Sequence, residues 1–554
     1  MSSEVVFDEE IGNPFAGSGL VIHDAVTTLI SEHDEMAASC RDMLQVLTEK
    51  HRRVMRFFDL DYSSLKEENA APKLAAFFWS RAMALTDLLE AMPEKRRNEW
   101  QEAIREFKCP AFTEQTVRDT FTDLLGSRTK FLAEKVDGLF RGLSGEHVTN
   151  RPEGFWKRMI LNTVFYDYGV QNWQKVGLIH DLRSVVARFM KRDAPYYSAT
   201  SDVLYAMKGN WGEWYTLDGG ALRMRLYMKG TVHLEVHPDM AYRLNMLLAQ
   251  LYPQAIPPKF REKSPRACKD IPPMQKPLPF EVLKWLADLE PASYLTDEYP
   301  RKQQIIPNAW TQKGSGLRES SEAVRIEGWA VLESLGATRK LLKERGMWVW
   351  EFPYSAGKVL QEVIASGRVP HDHAHQYFPT PKELAERCIA LANIQPGMTC
   401  LEPQAGLGGL ASLMPRERTT CVELAKLRCL ALREMGFQKV IEGDFLAWSA
   451  SNYTRYDRIV MNPPFDQGRW RAHLEAAGRM LAPGGRLVAI LPSGAAKLSD
   501  KLIPGMICDC TETISGAFKG ASIDVTILIM DRPPEEIRPS EVSRTEHNQQ
   551  LGLL

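Results

Sequence analysis

The sequence predicts an α/β domain over residues 371–535, preceded by a mainly α-helical region that contains a small β element. Four short apolar segments between residues 398 and 461 each end in polar or glycine-rich residues, which is typical of parallel strands in an open α/β sheet. Residues 20–195 place apolar side chains at helical spacing and contain few glycines. Residues 213–236 instead show three strand-like segments that are separated by glycine turns.

Changes in periodicity and composition mark the boundaries of the predicted parts. Helical spacing is clearest at residues 36–55, 73–92, 113–140, 238–251 and 320–344. Residues 252–280 are rich in proline and basic side chains, which is typical of a linker. We predict an α-helical domain at 1–200, a small α+β extension of it at 201–258, a linker at 259–280, a mostly helical intermediate region at 281–370, the α/β domain at 371–535 and a polar tail at 536–554.

Composition excludes several classes of protein. The 554 residues are 44% hydrophobic and 25% charged, which is typical of a globular protein, and no apolar run is long enough to span a membrane. The acidic N-terminus predicts no signal peptide, and nine cysteines without paired spacing predict reduced thiols, so we expect a cytoplasmic location. Cys508 and Cys510 lack a second pair, and His371, His373 and His375 favour a solvated loop, so we predict no metal site.

A glycine-rich loop follows the first predicted strand of the α/β domain. The short apolar strand ends at Glu402, and Gly406, Gly408 and Gly409 precede a predicted helix. Glycines let the backbone approach a ligand closely, and a strand, glycine loop and helix often hold a nucleotide-like cofactor. The spacing is neither the dinucleotide-binding fingerprint nor a P-loop, so a purely structural turn stays open as the alternative.

The next two predicted strands end in acidic residues. Glu423 follows the first of them, and Asp444 and Phe445 follow the second. A carboxylate at position 423 can bind the two hydroxyls of a ribose, Asp444 can accept from an adenine amine, and Phe445 can stack on the ring. Each acid alone is more often an ordinary polar strand end, but parallel strands bring their carboxyl ends to one edge, where ligands bind.

The fourth predicted strand, at residues 456–461, ends in Asn462, Pro463, Pro464 and Phe465. The Asn462 side-chain oxygen and the Pro463 carbonyl can both accept hydrogen bonds from an exocyclic amine. The prolines fix φ and therefore fix where these acceptors point. The aromatic ring of Phe465 offers a face on which a base can stack.

In sequence order these motifs resemble those of class I S-adenosylmethionine-dependent methyltransferases that methylate amino groups in DNA, over residues 376–530. The resemblance implies a Rossmann-like seven-stranded methyltransferase sheet and S-adenosyl-L-methionine as the methyl donor. The residues that it assigns to the donor are Tyr377, Thr380, Pro381, Glu402, Pro403, Gly406, Gly408, Glu423, Asp444 and Phe445. It assigns catalysis to Asn462, Pro463, Pro464 and Phe465, and stacking on the target base to Phe465 and Phe518.

The order of the motifs resembles the gamma arrangement, because the donor motifs precede the catalytic one. Too few residues separate Asp444 from Asn462 for an inserted recognition domain, so we expect recognition to be N-terminal or supplied by a partner. Residues 229–236 with Arg243, Leu244 and Asn245 resemble an uncharacterised domain that is fused to methyltransferases of phages and plasmids. A bacterial, phage or plasmid origin is therefore expected.

The resemblance implies methyl transfer to the N6 amine of adenine in DNA, with the adenine flipped out of the duplex. No Pro-Cys pair, which a cytosine C5 methylase needs, occurs in the sequence, and no nuclease-like cluster is evident. RNA base methylation at guanine N2 or adenine N6 stays open and is less favoured, and protein glutamine methylation and a donor-binding regulator without turnover are more distant alternatives. No membrane partner is expected, and a homo-oligomer is compatible with the sequence.

The net charge of −1 gives the whole chain no attraction for DNA, so binding requires local basic patches. Candidate patches lie at residues 183–192, 259–269 and 339–345. Each of them can contact phosphate or form an ordinary solvated face.

Overall fold

The computed structural model describes residues 19–47, 51, 54, 67–85, 88–143, 150, 153–155, 158–166, 169–208, 210–263, 274–295, 302–312, 320–343, 346–369, 378–501, 503–518 and 523–534. The chain divides into two compact units. The N-terminal unit contains residues 3–284 and 364–368, and the C-terminal unit contains residues 285–363 and 369–554. Among the described helices, none is long and apolar enough to cross a lipid bilayer.

The first part of the N-terminal unit is helical. Its helices are α1 (Gly19–Val46), α2 (Glu67–Ala84), α3 (Leu88–Ala91), α4 (Glu94–Arg105), α5 (Glu114–Gly126) and α6 (Arg128–Gly142). Apolar side chains at helical spacing form a shared core, in which Phe78, Trp79 and Ala82 of α2 are fully buried. The predicted helical character of this region is confirmed, although the helix predicted at 36–55 is described as continuous only to Val46.

A four-stranded antiparallel sheet completes this unit, in the order β1-β4-β3-β2. Its strands are β1 (Arg158–Leu161), β2 (Trp214–Leu217), β3 (Leu222–Leu226) and β4 (Val232–Val236). Helices α7 (Trp173–Phe189), α8 (Ala199–Met207) and α9 (Pro238–Leu251) share a core with it. The strands and the helix predicted between residues 213 and 251 are confirmed. The α-helical domain predicted at 1–200 also contributes the strand β1, whose four residues pair with β4.

The ends of the predicted linker are also packed. Residues 264–273 lie outside the described residues, but Phe260 and Met274 on either side are buried in the core of the N-terminal unit. The backbone N–H of Gln275 donates to the Gly219 carbonyl at 2.8 Å. The composition of this stretch predicted only a linker.

A buried charge cluster fixes the turn between β2 and β3. Asp218, with a φ of 48°, accepts from Arg183 at 2.8 and 3.0 Å and from Arg192 at 2.9 Å. Burial disfavours the carboxylate, but attraction to Arg183 and Arg192 outweighs it and holds the pKa of Asp218 below its ordinary value. Both guanidinium groups also lie over the Phe280 ring. In the candidate patch at 183–192, these two arginines are therefore buried and are neither phosphate contacts nor part of a solvated face.

The variant Asp218→Asn should lower the free energy of unfolding by about 3–5 kcal/mol, because two buried guanidinium groups lose their counter-charge. Urea unfolding followed by circular dichroism measures this loss. The control Arg118→Gln removes a surface ion pair with Glu114 and should change stability by less than about 1 kcal/mol. Similar losses in both variants would contradict the importance of the buried cluster.

Residues 280–366 contain a second antiparallel sheet, in the order β5-β6-β8-β7. The elements are α10 (Phe280–Ala287), β5 (Leu289–Leu295), β6 (Gln303–Gln312), α11 (Glu322–Ser334), β7 (Thr338–Leu342), β8 (Met347–Glu351) and α12 (Gly357–Ser366). The prediction of a mostly helical region at 281–370 is therefore wrong. Pro291 lies inside β5 and Pro307 lies inside β6. Because proline is rare within strands, the sequence pattern did not indicate these two strands. The helix predicted at 320–344 ends at Ser334, because Gly336 turns the chain with a φ of 88°.

The α/β domain is built on a seven-stranded sheet in the order β11-β10-β9-β12-β13-β15-β14. Its strands are β9 (Cys400–Glu402), β10 (Thr419–Glu423), β11 (Lys439–Glu442), β12 (Tyr456–Met461), β13 (Leu481–Pro492), β14 (Ile507–Cys510) and β15 (Val525–Asp531). The first five are parallel, and β15 runs antiparallel to both neighbours. The helices are α13 (Lys382–Ala392), α14 (Lys426–Glu434), α15 (Phe445–Ser451) and α16 (Trp470–Arg479).

The strand order positions a site. From β9 the chain builds outwards to β10 and β11, and then returns to place β12 on the other side of β9. Ligands of open α/β sheets bind where the order reverses in this way, beyond the carboxyl ends of the strands. The helix predicted after the glycine loop is only a 3₁₀ turn at Ala411–Leu413, since Pro415 lacks the N–H that would extend it.

Candidate functional site

A cleft opens at the carboxyl edge of the seven-stranded sheet, between β9 and β12 and their neighbours. It encloses about 1160 Å³, its open mouth included. Residues that directly follow β9, β10, β11 and β12 form its walls, so segments far apart in the sequence meet there. The predicted site residues that line it are Thr380, Glu402, Pro403, Glu423, Asp444, Phe445, Asn462, Pro463, Pro464, Phe465 and Phe518.

The remaining predicted site residues are placed differently. Tyr377 lies outside the described residues, and Pro381 is the N-cap residue of α13. Gly406 and Gly408 belong to the loop but do not line the cleft, whereas Gly409 does. Gly408 has a φ of 75°, and a Cβ there would lie 3.2 Å from two side chains at the end of α14. This glycine is therefore required for the fold of the loop.

Glu402 and Gln404 bring two unpaired acceptors to the cleft wall. Glu402 is 2% exposed, and its Oε2 atom has no hydrogen-bond partner among the described residues. Burial raises the pKa of Glu402 well above its ordinary value, the backbone N–H of Ala411 opposes this rise, and the charge of Glu423 adds to it. The Oε1 atom of Gln404 is also buried and lacks a partner within the described chain. Such acceptors suit a ligand with N–H donors, and above all a cationic ammonium group.

Glu423 connects the glycine loop to the end of β10. Its Oε2 accepts from the Gly406 backbone N–H at 2.9 Å, and its Oε1 accepts from the Ala425 backbone N–H at 2.8 Å. The guanidinium of the buried Arg428 lies 3.7 Å from Oε1. Each carboxylate oxygen has two lone pairs, so Glu423 can hold the loop and still accept from a ligand hydroxyl.

Asp444 and Phe445 form the wall beyond β11. Asp444 is the N-cap residue of α15, and its Oδ1 accepts from the Ala447 backbone N–H at 2.8 Å. The Phe445 ring is 3% exposed and stacks on the His473 imidazole, with ring centroids 5.9 Å apart. Phe445 therefore packs in the core of the domain and also lines the cleft.

The amide of Asn462 has a defined orientation. Its Nδ2 donates to the Thr380 hydroxyl at 3.2 Å and lies 3.5 Å from the Phe378 carbonyl. A carbonyl can only accept, so the NH₂ group must face this segment. The Asn462 oxygen accepts no hydrogen bond from the described residues and remains available to a ligand in the cleft.

Three aromatic side chains form a further part of the cleft lining, the aromatic wall. Phe378 and Phe518 pack edge to face, with ring centroids 6.3 Å apart, and both line the cleft together with Phe465. Rings arranged in this way leave apolar surface on which a planar ligand can stack.

Sequence reasoning missed several residues of the cleft. Gln404 and Phe378 lie inside the segments that contain the predicted motifs, so their polar and aromatic character could have indicated them. His473 and Arg469 lie at the start of α16 and carry no motif, and only the tertiary fold brings them to the cleft. Arg428 is likewise placed by the packing of α14.

Within the described ranges, no group of three or more His, Cys, Asp or Glu side chains could hold a metal ion. The histidines at 371, 373 and 375 lie outside those ranges.

Comparison with known proteins identifies one domain family in the N-terminal unit. The model for "Domain of unknown function (DUF4942)" matches residues 72–254. This agrees with the resemblance of residues 229–245 to an uncharacterised domain. No curated protein matches the chain.

Solved structures show likeness to parts of the chain. TrmN from Thermus thermophilus is 23% identical, with a TM-score of 0.23, over 27% of this chain and 48% of that protein. PH1948 from Pyrococcus horikoshii, proposed as an RNA methyltransferase, is 22% identical, with a TM-score of 0.25, over 31% of this chain and 91% of its own. The M protein of the type I restriction enzyme EcoKI is 15% identical, with a TM-score of 0.26, over 32% of this chain and 50% of its own. The chain thus spans about half the length of TrmN and of the M protein.

His473 offers a test of the electrostatics of the cleft. Burial lowers the pKa of His473 below its ordinary value, the charge of Asp444 raises it, and the charge of Arg469 lowers it further. We therefore expect Arg469→Gln to raise the pKa of His473 and Asp444→Asn, which keeps the helix cap, to lower it. NMR titration of the imidazole measures both, with His473→Gln to assign the signal. Shifts of the same sign in the two variants would contradict this arrangement.

Proposed function

We propose that the α/β domain transfers a methyl group from S-adenosyl-L-methionine to the N6 amine of adenine in DNA. The orientation of the Asn462 amide is the observation that carries this proposal. Because its NH₂ group is occupied by Thr380 and Phe378, Asn462 presents an acceptor, and not a donor, to the cleft. An acceptor is what an exocyclic amine requires.

The residues at the ends of β9, β10 and β11 form the acidic wall of the cleft (Glu402, Gln404, Glu423 and Asp444), and they fit the proposed donor. The unpaired oxygens of Glu402 and Gln404 suit the ammonium group of its methionine part, and the remaining lone pairs of Glu423 suit its ribose hydroxyls. Asp444 and Phe445 line the place beyond β11 where the adenine of the donor would lie. When bound, S-adenosyl-L-methionine supplies an electrophilic methyl group on a sulfonium.

The protein contributes positioning more than covalent chemistry. An aromatic amine is a poor nucleophile, because its lone pair is conjugated with the ring. The Asn462 oxygen and the Pro463 carbonyl would accept hydrogen bonds from the two N–H groups of the amine. These bonds would favour a tetrahedral nitrogen whose lone pair points at the methyl group. No cysteine is among the described residues that line the cleft, and the reaction requires none. The new N–C bond would form as the S–CH₃ bond of the sulfonium breaks to leave a neutral thioether, and the nitrogen would then release one proton to solvent.

The aromatic wall suits a base that has left its helix. Flipping a base out of a duplex costs a few kcal/mol, and stacking on an aromatic ring returns about 1–3 kcal/mol. Phe465 follows the catalytic segment directly, and Phe378 and Phe518 face the same cleft. The amine of a base between these rings would lie near the Asn462 oxygen.

Product analysis tests the proposed target. Purified protein with methyl-labelled S-adenosylmethionine and unmethylated DNA should yield N6-methyladenine in the digested DNA. RNA and total protein serve as parallel substrates. Label on RNA alone would overturn the DNA assignment in favour of an RNA base methyltransferase, and donor binding without transfer to any substrate would indicate a regulatory protein.

The variant Asn462→Ala should lower the rate of methyl transfer by about 100-fold or more, because it removes one of the two acceptors for the amine. Donor affinity, measured by calorimetry, should stay within about threefold, since the acidic wall is intact. The control Asn452→Ala changes the same residue type at the end of α15, outside the cleft, and should keep full activity. Full activity of the Asn462 variant would mean that the motif is structural.

Thr380 is a positioning residue in this scheme. Thr380→Val removes the hydroxyl that fixes the Asn462 amide and should lower kcat about tenfold. Thr380→Ser keeps the hydroxyl and should retain most of the activity. A loss in both variants that follows thermal stability, with no difference between Val and Ser, would assign Thr380 a packing role only.

A further inference from the structure

The four-stranded sheet of the N-terminal unit buries one face, and its other face is exposed at β3 and partly exposed at β2. In β3, Leu222, Met224 and Leu226 are fully buried, whereas Arg223 is exposed and Arg225 is partly exposed. Since side chains alternate along a strand, both arginines point away from the core. The core behind the sheet is apolar, so the charged face is the one that meets solvent.

Cross-strand register gathers basic and aromatic side chains on this open face. Trp214 pairs with Arg225, and Thr216 pairs with Arg223. The guanidinium carbons of Arg158, Arg223 and Arg225 lie 5.4, 5.0 and 5.7 Å from the centre of the Trp214 ring. Arg225 also lies 5.3 Å from the centre of the Tyr227 ring. These residues (Arg158, Trp214, Arg223, Arg225 and Tyr227) form the arginine–tryptophan face.

The charge of this face is unbalanced. Glu235 is the one carboxylate within its four strands, and it accepts from Arg158 at 2.8 Å and from Arg223 at 3.4 Å. The Glu235 side chain is only 10% exposed, whereas those of Arg158 and Arg223 are 45% and 47% exposed. Three guanidinium groups thus meet one sheltered carboxylate, and the face presents positive charge to solvent.

We propose that the arginine–tryptophan face binds a DNA strand. Arginine pairs with phosphate through two N–H groups at once, and aromatic rings between the arginines offer stacking surfaces for bases. A polyanion is the favoured partner, because three guanidinium groups share one sheltered carboxylate and the excess positive charge is open to phosphate. The inference deepens the proposed function, and it rests on that function for the identity of the polymer. It also assigns a role to the domain of unknown function at residues 72–254.

Binding of a labelled oligonucleotide to the full chain tests this assignment. Fluorescence anisotropy at several salt concentrations, without methyl donor, gives the Kd for single-stranded DNA, duplex DNA and RNA of the same sequence. The double variant Arg223→Gln and Arg225→Gln should weaken DNA binding about tenfold or more. For the duplex, the magnitude of the slope of log binding constant against log salt concentration should fall by about 2. The matched control Arg105→Gln and Arg118→Gln removes the same charge from exposed helix positions of this unit.

Unchanged Kd and slope in the sheet variant, or equal losses in the sheet variant and the control, would overturn the proposal. A preference for RNA over both forms of DNA would also overturn it. Glu235→Gln gives a second test that does not depend on the arginine variants folding. It removes the opposing charge, so DNA should bind several-fold more tightly, whereas a purely structural role for the cluster predicts no gain.

The two proposals fail separately. If the catalytic assignment is wrong, the wild type will lack methyl transfer to DNA or Asn462→Ala will retain it, but the sheet variant will still bind DNA more weakly. If the arginine–tryptophan face does not bind DNA, methyl transfer will persist in the sheet variant with an unchanged KM for DNA.

Discussion

The Glu423 carboxylate is the contact on which the candidate site depends most. It accepts from Gly406 in the loop after β9 and from Ala425 after its own strand, so it fixes two neighbouring strand ends relative to each other. The loop in turn shapes the wall that contains Glu402 and Gln404, whose buried oxygens have no partner in the described chain. A parallel sheet supplies this arrangement readily, because its strands end at one edge, where their polar residues share one solvent-filled cleft.

Two walls with different chemistry meet at Asn462. The acidic wall offers acceptors, which suit the proposed donor, and the aromatic wall offers apolar surface, which suits the proposed planar target. Asn462 lies between them, and the segment at 378–380 decides which end of its amide faces the cleft. The tetrapeptide that we propose as catalytic is therefore incomplete by itself. Its chemistry depends on a hydroxyl and a carbonyl that come from a segment before the first strand of the sheet.

Arginines in the N-terminal unit have two opposite environments. Arg183 and Arg192 are buried against Asp218, where removal of the counter-charge is costly, and their positive charge is unavailable to a ligand. Arg223 and Arg225 lie on the open face of the sheet, where a single sheltered carboxylate leaves excess charge. The segment 183–192 and the strand β3 have the same fraction of basic residues, yet only β3 contributes to the exposed patch.

The sequence by itself determined the order of the motifs, the polar ends of β9, β10 and β12, and the strands at 213–236, because each depends on local spacing and composition. It did not determine β1, β5 and β6, whose residues become strands only through pairing with distant partners, and prolines concealed two of them. Nor did it indicate His473 and Arg469, since a helix that carries no motif brings them to the cleft. The tertiary structure also decided the direction of the Asn462 amide and the burial of Arg183, because both depend on contacts with residues far away in the chain.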